Sequence, residues 1–250
     1  QILKHMISKG LKPGTVDRIR QTISAIFNIG IYHEKCKENP ASISRNDKVS
    51  IMRRNKKNIN NDRERYISKS EAEQMLHELR LRDETVYLMA LMALTTGARA
   101  GEILSIKFKD IDYYSGFITL DNTKNGYSRK IKMTPEVHKL IEARHQDKAN
   151  QYLFKTKNNT KLDKIPQTYF TVVEKLFNKD LETSDSKNRV VFHTLRHTFA
   201  SWLALDGVPI FTIQKLMGHK DINMTMRYAK LSPDAGVEAV MNIERSLVGG

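Results

Sequence analysis

His193-Thr194-Leu195-Arg196-His197 is the stretch on which the reading of this chain turns. Positions 193, 196 and 197 lie three and four residues apart, so on a helix they share one face. Phe199, Trp202 and Leu203 then fall on the side expected to pack inward. A lone histidine on a helix is usually structural, whereas two histidines bracketing an arginine raise the prospect of a site. The pattern continues downstream with Gly218-His219 and, nine residues beyond that histidine, Tyr228. A His-x-x-x-His pair also has zinc-binding spacing, but the intervening glutamate base of the metalloprotease motif is absent and no third ligand is convincingly placed, so no metal is expected.

Working outward, Arg99 and Lys124 join His193, Arg196, His219 and Tyr228 as a set with a shared chemistry. A phenol has an ordinary pKa near 10 and needs donors and bases around it to act as a nucleophile. When an oxygen attacks a phosphodiester, charge grows on the non-bridging oxygens, and fixed donors aimed there stabilise the transition state. Arginine suits that task because its planar fork stays protonated and can hold two oxygens at once. The leaving oxygen needs a proton, which a lysine or histidine can deliver. The set therefore suffices for phosphodiester attack without a cofactor.

Composition supports a polyanionic partner. The 250 residues carry 42 Lys and Arg against 28 Asp and Glu, a formal charge of +14, which points first to nucleic acid. Residues 1–60 hold 13 of those basic residues and only 4 of the acidic ones. The lone Cys36 excludes an internal disulfide framework and suits a reducing compartment. The richest apolar run, Val86 to Leu94, is far below membrane-spanning length. No signal peptide is legible, and a cytoplasmic, nucleoid-associated protein is expected. The sequence opens at Gln1 and reads as lacking its front.

The elements follow from local signals. Thr15 can cap a helix with Ile19, Ile23, Ile26 and Phe27 at helical spacing, ending by Asn39-Pro40. Arg18 and Arg20 lie on its other faces. A basic linker over 46–65, with Arg53, Arg54, Lys56 and Lys57, is expected to lie along a phosphate backbone. Ser68-x-x-Glu71 is a capping box. Asp83 to Thr96 is apolar nearly all round and reads as a buried helix closed by Gly97. Strand patterns over 117–120 and 129–133 flank Asn125-Gly126, a hairpin signal that puts Lys124 at or near the tip. Thr134-Pro135 restarts helix, and further helical patterns run over 166–178, 193–205, 209–217, 221–230 and 233–247. The expected fold is mainly α with a small antiparallel β-sheet (α+β), divided at 1–45, 46–65 and 66–250.

Thr96-Gly97-Ala98-Arg99-Ala100-Gly101-Glu102, Thr123-Lys124, His193 to His197, Met217-Gly218-His219 and Met224 to Tyr228 resemble, in order, the catalytic motifs of the tyrosine recombinase (phage integrase) family. The match spans residues 66 to about 231. Residues 1–45 look like the later helices of that family's core-binding domain, a weaker match. Met217 stands where leucine is usual and Phe108 where tryptophan is common. Both swaps are apolar for apolar.

The resemblance implies that Tyr228 attacks DNA and forms a 3′-phosphotyrosyl link while Arg99 and Arg196 hold the phosphate. It implies that Lys124 protonates the 5′ oxygen, His193 helps move the tyrosine proton and His219 bonds to the phosphate, with Glu102 and His197 as supports. It further implies double-stranded DNA as partner, a homo-tetramer joined through the helix at 233–247, a Holliday junction, and no need for ATP or metal. Accessory DNA-bending proteins are possible partners. A type IB topoisomerase, or a non-catalytic DNA-binding protein of the same fold, are the alternatives.

Overall fold

Two short side chains, Ser68 and Asp83, start the helices on which the larger unit is built. The computed structural model describes residues 5–6, 8–11, 13–42, 65–122, 127–144, 149–182, 185–233 and 240–241. The chain divides into two units, residues 1–62 and 63–250.

In the first unit, helix α1 (Pro13–Tyr32) begins two residues before Thr15, with proline at its first position, where its fixed φ is pre-set for a helix. It ends well ahead of Asn39-Pro40. Glu34 takes a left-handed φ of 57°, the Lys35 amide closes onto the Gly30 carbonyl at 2.8 Å, and the Asn39 amide reaches back to Ser24 and Asn28. Ile19, Ile23 and Phe27 are partly covered, whereas Ile26 is 63% exposed. Arg20 is not a free cation on this helix. It is buried, and it donates to Asp17 at 2.9 Å and to the Ala41 carbonyl at 3.1 Å. Arg18 is exposed.

In the second unit, α2 (Lys69–Arg82) opens with the full capping box: Glu71 N–H to Ser68 Oγ at 3.1 Å and Ser68 N–H to Glu71 at 2.7 Å. Asp83 caps α3 (Glu84–Thr96), accepting from the Thr85 and Val86 amides. Leu, Met and Ala dominate α3, and nine of its residues are buried. Each fully covered Val, Leu or Met contributes roughly 1.5–3 kcal/mol. Gly97 closes the helix in the left-handed region, at φ 64°.

The sheet has three antiparallel strands in the order β1 (Ile111–Asp112), β2 (Phe117–Asn122), β3 (Tyr127–Lys132). Ile118 faces Ile131 and Leu120 faces Arg129. The two-residue β1 adds an edge that sequence periodicity does not reveal. The hairpin residues 123–126, and Lys124 with them, lie outside the described residues.

Pro135 starts α5 (Pro135–Glu142), with Thr134 in extended conformation before it; a short turn, α4 (Ala100–Ile103), precedes the sheet. Helix α6 (Gln167–Val173) runs into a π-helical turn (Glu174–Asn178). That turn points Asn178 inward, where it pairs with both main-chain groups of Val190 at 2.8 and 2.9 Å. The pairing fixes the approach to α7 (Phe192–Leu205). Thr198 and Trp202 of α7 then clamp Ile67, one accepting its N–H and the other donating to its carbonyl, each at 3.1 Å. One side of α7 joins the main core through Phe192 and Leu195. Its other side forms a second cluster with α8 (Ile210–Met217) and Tyr228. The expected helix over 221–230 is two short turns, α9 (Asn223–Met226) and a 3₁₀ turn (Ala229–Leu231), with Asp221 accepting from the Asn223 amide at the start. Most of 233–247, the expected C-terminal helix, lies outside the described residues.

Candidate active site

Arg196 sits where the two clusters meet. It is 2% exposed, and its two terminal nitrogens donate to the carbonyls of Gly97 and Met217. Those carbonyls end α3 and α8, so one guanidinium joins three separate sequence motifs. Burial, followed by the charges of Arg99 and Arg129, pulls its pKa down to about 9, and the group stays protonated at neutral pH.

Arg99 stands just before α4, beyond the Gly97 turn, and is about one-third exposed. Its amide donates to Glu102 Oε2 at 2.7 Å and its Nη1 to Oε1 at 2.9 Å. Arg129 grips the same carboxylate with both terminal nitrogens at 2.8 Å. Burial would raise the Glu102 pKa, but the bonds and charges of Arg129, and then of Arg99, overcome it and hold the carboxyl at about 2.

Helix α8 closes at Gly218, φ 62°, and the His219 amide returns to the Gln214 carbonyl at 3.1 Å. His219 Nδ1 lies 2.9 Å from the hydroxyl of buried Thr225. Burial first, then Arg196, Arg99, Arg129 and His193, lower its pKa to about 4. It is therefore a neutral imidazole at physiological pH.

Tyr228 is 4% exposed, its ring in the second cluster and its hydroxyl 2.6 Å from His197 Nδ1. Burial raises the phenol above its ordinary pKa, opposed by Arg227 and Arg196. The phenol is thus protonated at rest, with an imidazole nitrogen within hydrogen-bond reach of its hydroxyl. His193 is exposed, with its ring edge-on to His197 at 4.7 Å.

Arg99, Glu102, His193, Arg196, His197, His219 and Tyr228 are therefore brought together. Lys124, Arg53, Arg54, Lys56 and Lys57 lie outside the described residues. Two features escaped the sequence reading. Arg129 was legible as an arginine in phase with buried Ile131 and Met133 on an alternating strand. The contact of Tyr228 with His197, a residue expected only as a support, carries no sequence signal. Among the described residues, no group of His, Cys, Asp and Glu could hold a metal ion, and no helix is long and apolar enough to cross a membrane.

The sequence profile of the phage integrase family matches residues 65–234. The chain belongs to that family. Tyrosine recombinase XerA of Saccharolobus solfataricus is 36% identical over 148 residues, covering 59% of this chain and 46% of the relative. A shufflon-specific DNA recombinase of Escherichia coli is 26% identical over 225 residues, covering 88% and 52%. The chain spans about half the length of these curated relatives. Among solved structures, the Tn1549 transposon integrase in complex with a circular intermediate DNA superposes with TM-score 0.65 at 22% identity, covering 96% of this chain and 82% of that one. At that identity the likeness is one of fold, and the phage integrase fold agrees with the mainly α architecture and small antiparallel sheet.

Proposed function

We propose that this chain carries the catalytic unit of a site-specific DNA recombinase or integrase. Tyr228 attacks a DNA phosphate; the Tyr O–P bond forms, the P–O5′ bond breaks, and a 5′ hydroxyl leaves. The observation that carries this reading is the buried Tyr228 hydroxyl, 2.6 Å from an imidazole nitrogen and within the field of Arg196.

Because the phenol is protonated at rest, its proton passes to the His197–His193 pair as the O–P bond forms. Arg99 and Arg196 hold the non-bridging oxygens. Neutral His219 has one ring N–H, which bonds to the phosphate if Nδ1 accepts from Thr225. Lys124 protonates the 5′ oxygen. The covalent link conserves the phosphodiester bond, so a 5′ hydroxyl from a second duplex can attack it without ATP, and two such exchanges pass through a Holliday junction.

Double-stranded DNA is the proposed partner, with exposed Arg18 and the basic segment at 53–57 on its backbone. Support comes from the +14 charge and from relatives named as recombinases and integrases. Assembly as a tetramer through residues 233–247 completes the proposal.

The test uses randomly nicked genomic fragments from the source organism. Incubation followed by denaturation should leave DNA attached to Tyr228, mapped by peptide mass spectrometry, and the attached DNA should converge on one sequence. Tyr228→Phe should form no adduct while binding the recovered fragment within about threefold of the parent, since only one hydroxyl is removed. Adducts from Tyr228→Phe, or none from the parent, would refute the assignment. Joining of two different duplexes separates recombination from topoisomerase-like relaxation.

A further inference from the structure

β3 alternates, and its inward positions include Arg129 and Ile131, with buried Met133 in the same phase just beyond its end. An arginine in that phase opposite buried Leu120 needs a reason, because an inward cation must be paired. Its partner is Glu102, gripped through both oxygens at 2.8 Å. Each oxygen also accepts one N–H from Arg99, from Nη1 at 2.9 Å and from the amide at 2.7 Å. Four donors saturate the carboxylate. Glu102 thus draws only Nη1 of the Arg99 side chain into the pair, and the remaining edge of that guanidinium is left out of it.

Arg129 also touches the opposite wall. A Cβ on Gly218 would lie 3.0 Å from its Cδ and Nη1 and 3.2 Å from its Nε. Its fork therefore lies flat against the Gly218 main chain, next to His219. A side chain at 218 would press on that fork, which would have to give by a few tenths of an ångström.

We propose that Arg129 is a positioning residue for phosphodiester cleavage. It saturates Glu102 so that Arg99 keeps a free edge for the phosphate, and it forms the floor beneath Gly218-His219. Without Arg129, Glu102 turns fully onto Arg99 and neutralises it. This inference rests on the phosphotyrosyl reading above.

The mechanism gives an unusual expectation, in which a second mutation repairs the first. Single-turnover adduct formation is measured on the nicked fragment recovered above, alongside fragment affinity, for the parent, Arg129→Met, Arg129→Lys, Glu102→Gln and the Glu102→Gln/Arg129→Met double variant. Arg129→Met should slow adduct formation on the order of 100-fold, as expected for a misplaced catalytic group, with affinity within about threefold. The double variant should be faster than Arg129→Met by about tenfold, because no carboxylate remains to capture Arg99. Arg129→Lys keeps the charge but not the fork and should be slowed by about tenfold.

Arg129→Met within about threefold of the parent, or a double variant no faster than Arg129→Met, overturns the proposal. If Arg129→Met does not fold, Arg129→Lys decides: a parent-like rate overturns the inference and the expected loss supports it. A parent that forms no adduct refutes the phosphotyrosyl reading instead, a result distinct from a parent that reacts and an Arg129→Met variant that reacts equally well.

Discussion

Gly97→Ala tests how tightly the site is tied to the fold. Gly97 has φ 64°, and an L-residue held there costs about 1–2 kcal/mol. Its Cβ would lie 2.5 and 2.9 Å from two ring carbons of Phe199 and 3.0 Å from Met217 Sδ. Phe199 is partly buried against the second cluster and Met217 is 1% exposed, so relief of the clash must displace packed side chains. Overpacking of this kind costs about 1–3 kcal/mol. Together the penalties come to roughly 2–5 kcal/mol. For a unit of this size that lowers Tm by roughly 4–20 °C. Thermal and urea unfolding of parent and variant give the number. Phe199→Leu in the Gly97→Ala background should recover part of the overpacking loss but none of the φ penalty. A Gly97→Ala variant within about 1 kcal/mol of the parent would show that the close approach of α7 and α8 to this turn is wrong.

Three further outcomes follow from the electrostatics. Glu102 ionises at about 2 instead of its ordinary 4.5, so its stabilisation is complete above about pH 4.5 and is lost as pH falls toward 2. Linkage gives roughly 3 kcal/mol, discounted to about 2 for solvent reaching the pair beside Arg99; urea midpoints between pH 5 and 2.5 should fall more steeply for the parent than for Glu102→Gln, and parallel falls would remove that contribution. Arg99 and Arg129 share one carboxylate, and Arg196 lies within their field without a carboxylate of its own, so sulfate at about ten times its Kd should stabilise by about 1.4 kcal/mol, a Tm rise of roughly 3–6 °C, relative to sodium chloride of equal ionic strength. Arg99→Ala should lose most of that response. His219, lowered to about 4, should remain neutral down to about pH 5 in a nitrogen-15 NMR titration, whereas a midpoint near 6.5 would place it in open solvent.

Much of this was legible because short-range chemistry decides it. The Ser68-x-x-Glu71 box, the all-round apolar run of α3, the Gly97 stop and the two strand patterns at 117–120 and 129–133 are local signals, and the structure follows them. What sequence could not give depends on groups far apart in the chain. Arg20 reads as a solvated cation until Ala41 folds back onto it. Three residues share the α7 face, but which imidazole meets the phenol depends on where Tyr228 is placed, 31 residues away. β1 is too short for alternation to register, and the 221–230 stretch, opened by Asp221, stays α-helical only to Met226 and resumes as a 3₁₀ turn at Ala229.

The two least exposed arginines of the site are held in opposite ways, and the difference bears on the chemistry. Arg129 is held by a carboxylate, so its charge is largely cancelled where it lies. Arg196 donates to the Gly97 and Met217 carbonyls, main-chain groups at the ends of α3 and α8 that have no onward helical partner. Helix C-termini carry partial negative charge, each favouring a cation by about 0.3–1 kcal/mol and more when partly buried. Two such ends, with geometry matched to a planar fork, anchor Arg196 without a full counter-charge. Its net charge therefore survives burial and faces Tyr228, consistent with its lowering influence on the phenol. An arginine paired to a carboxylate in that position would be just as rigid but would offer a phosphate far less. Rigidity from carbonyls and charge from the guanidinium are separable here, which is why the motif requires arginine at 196 and a glycine turn at 97 together.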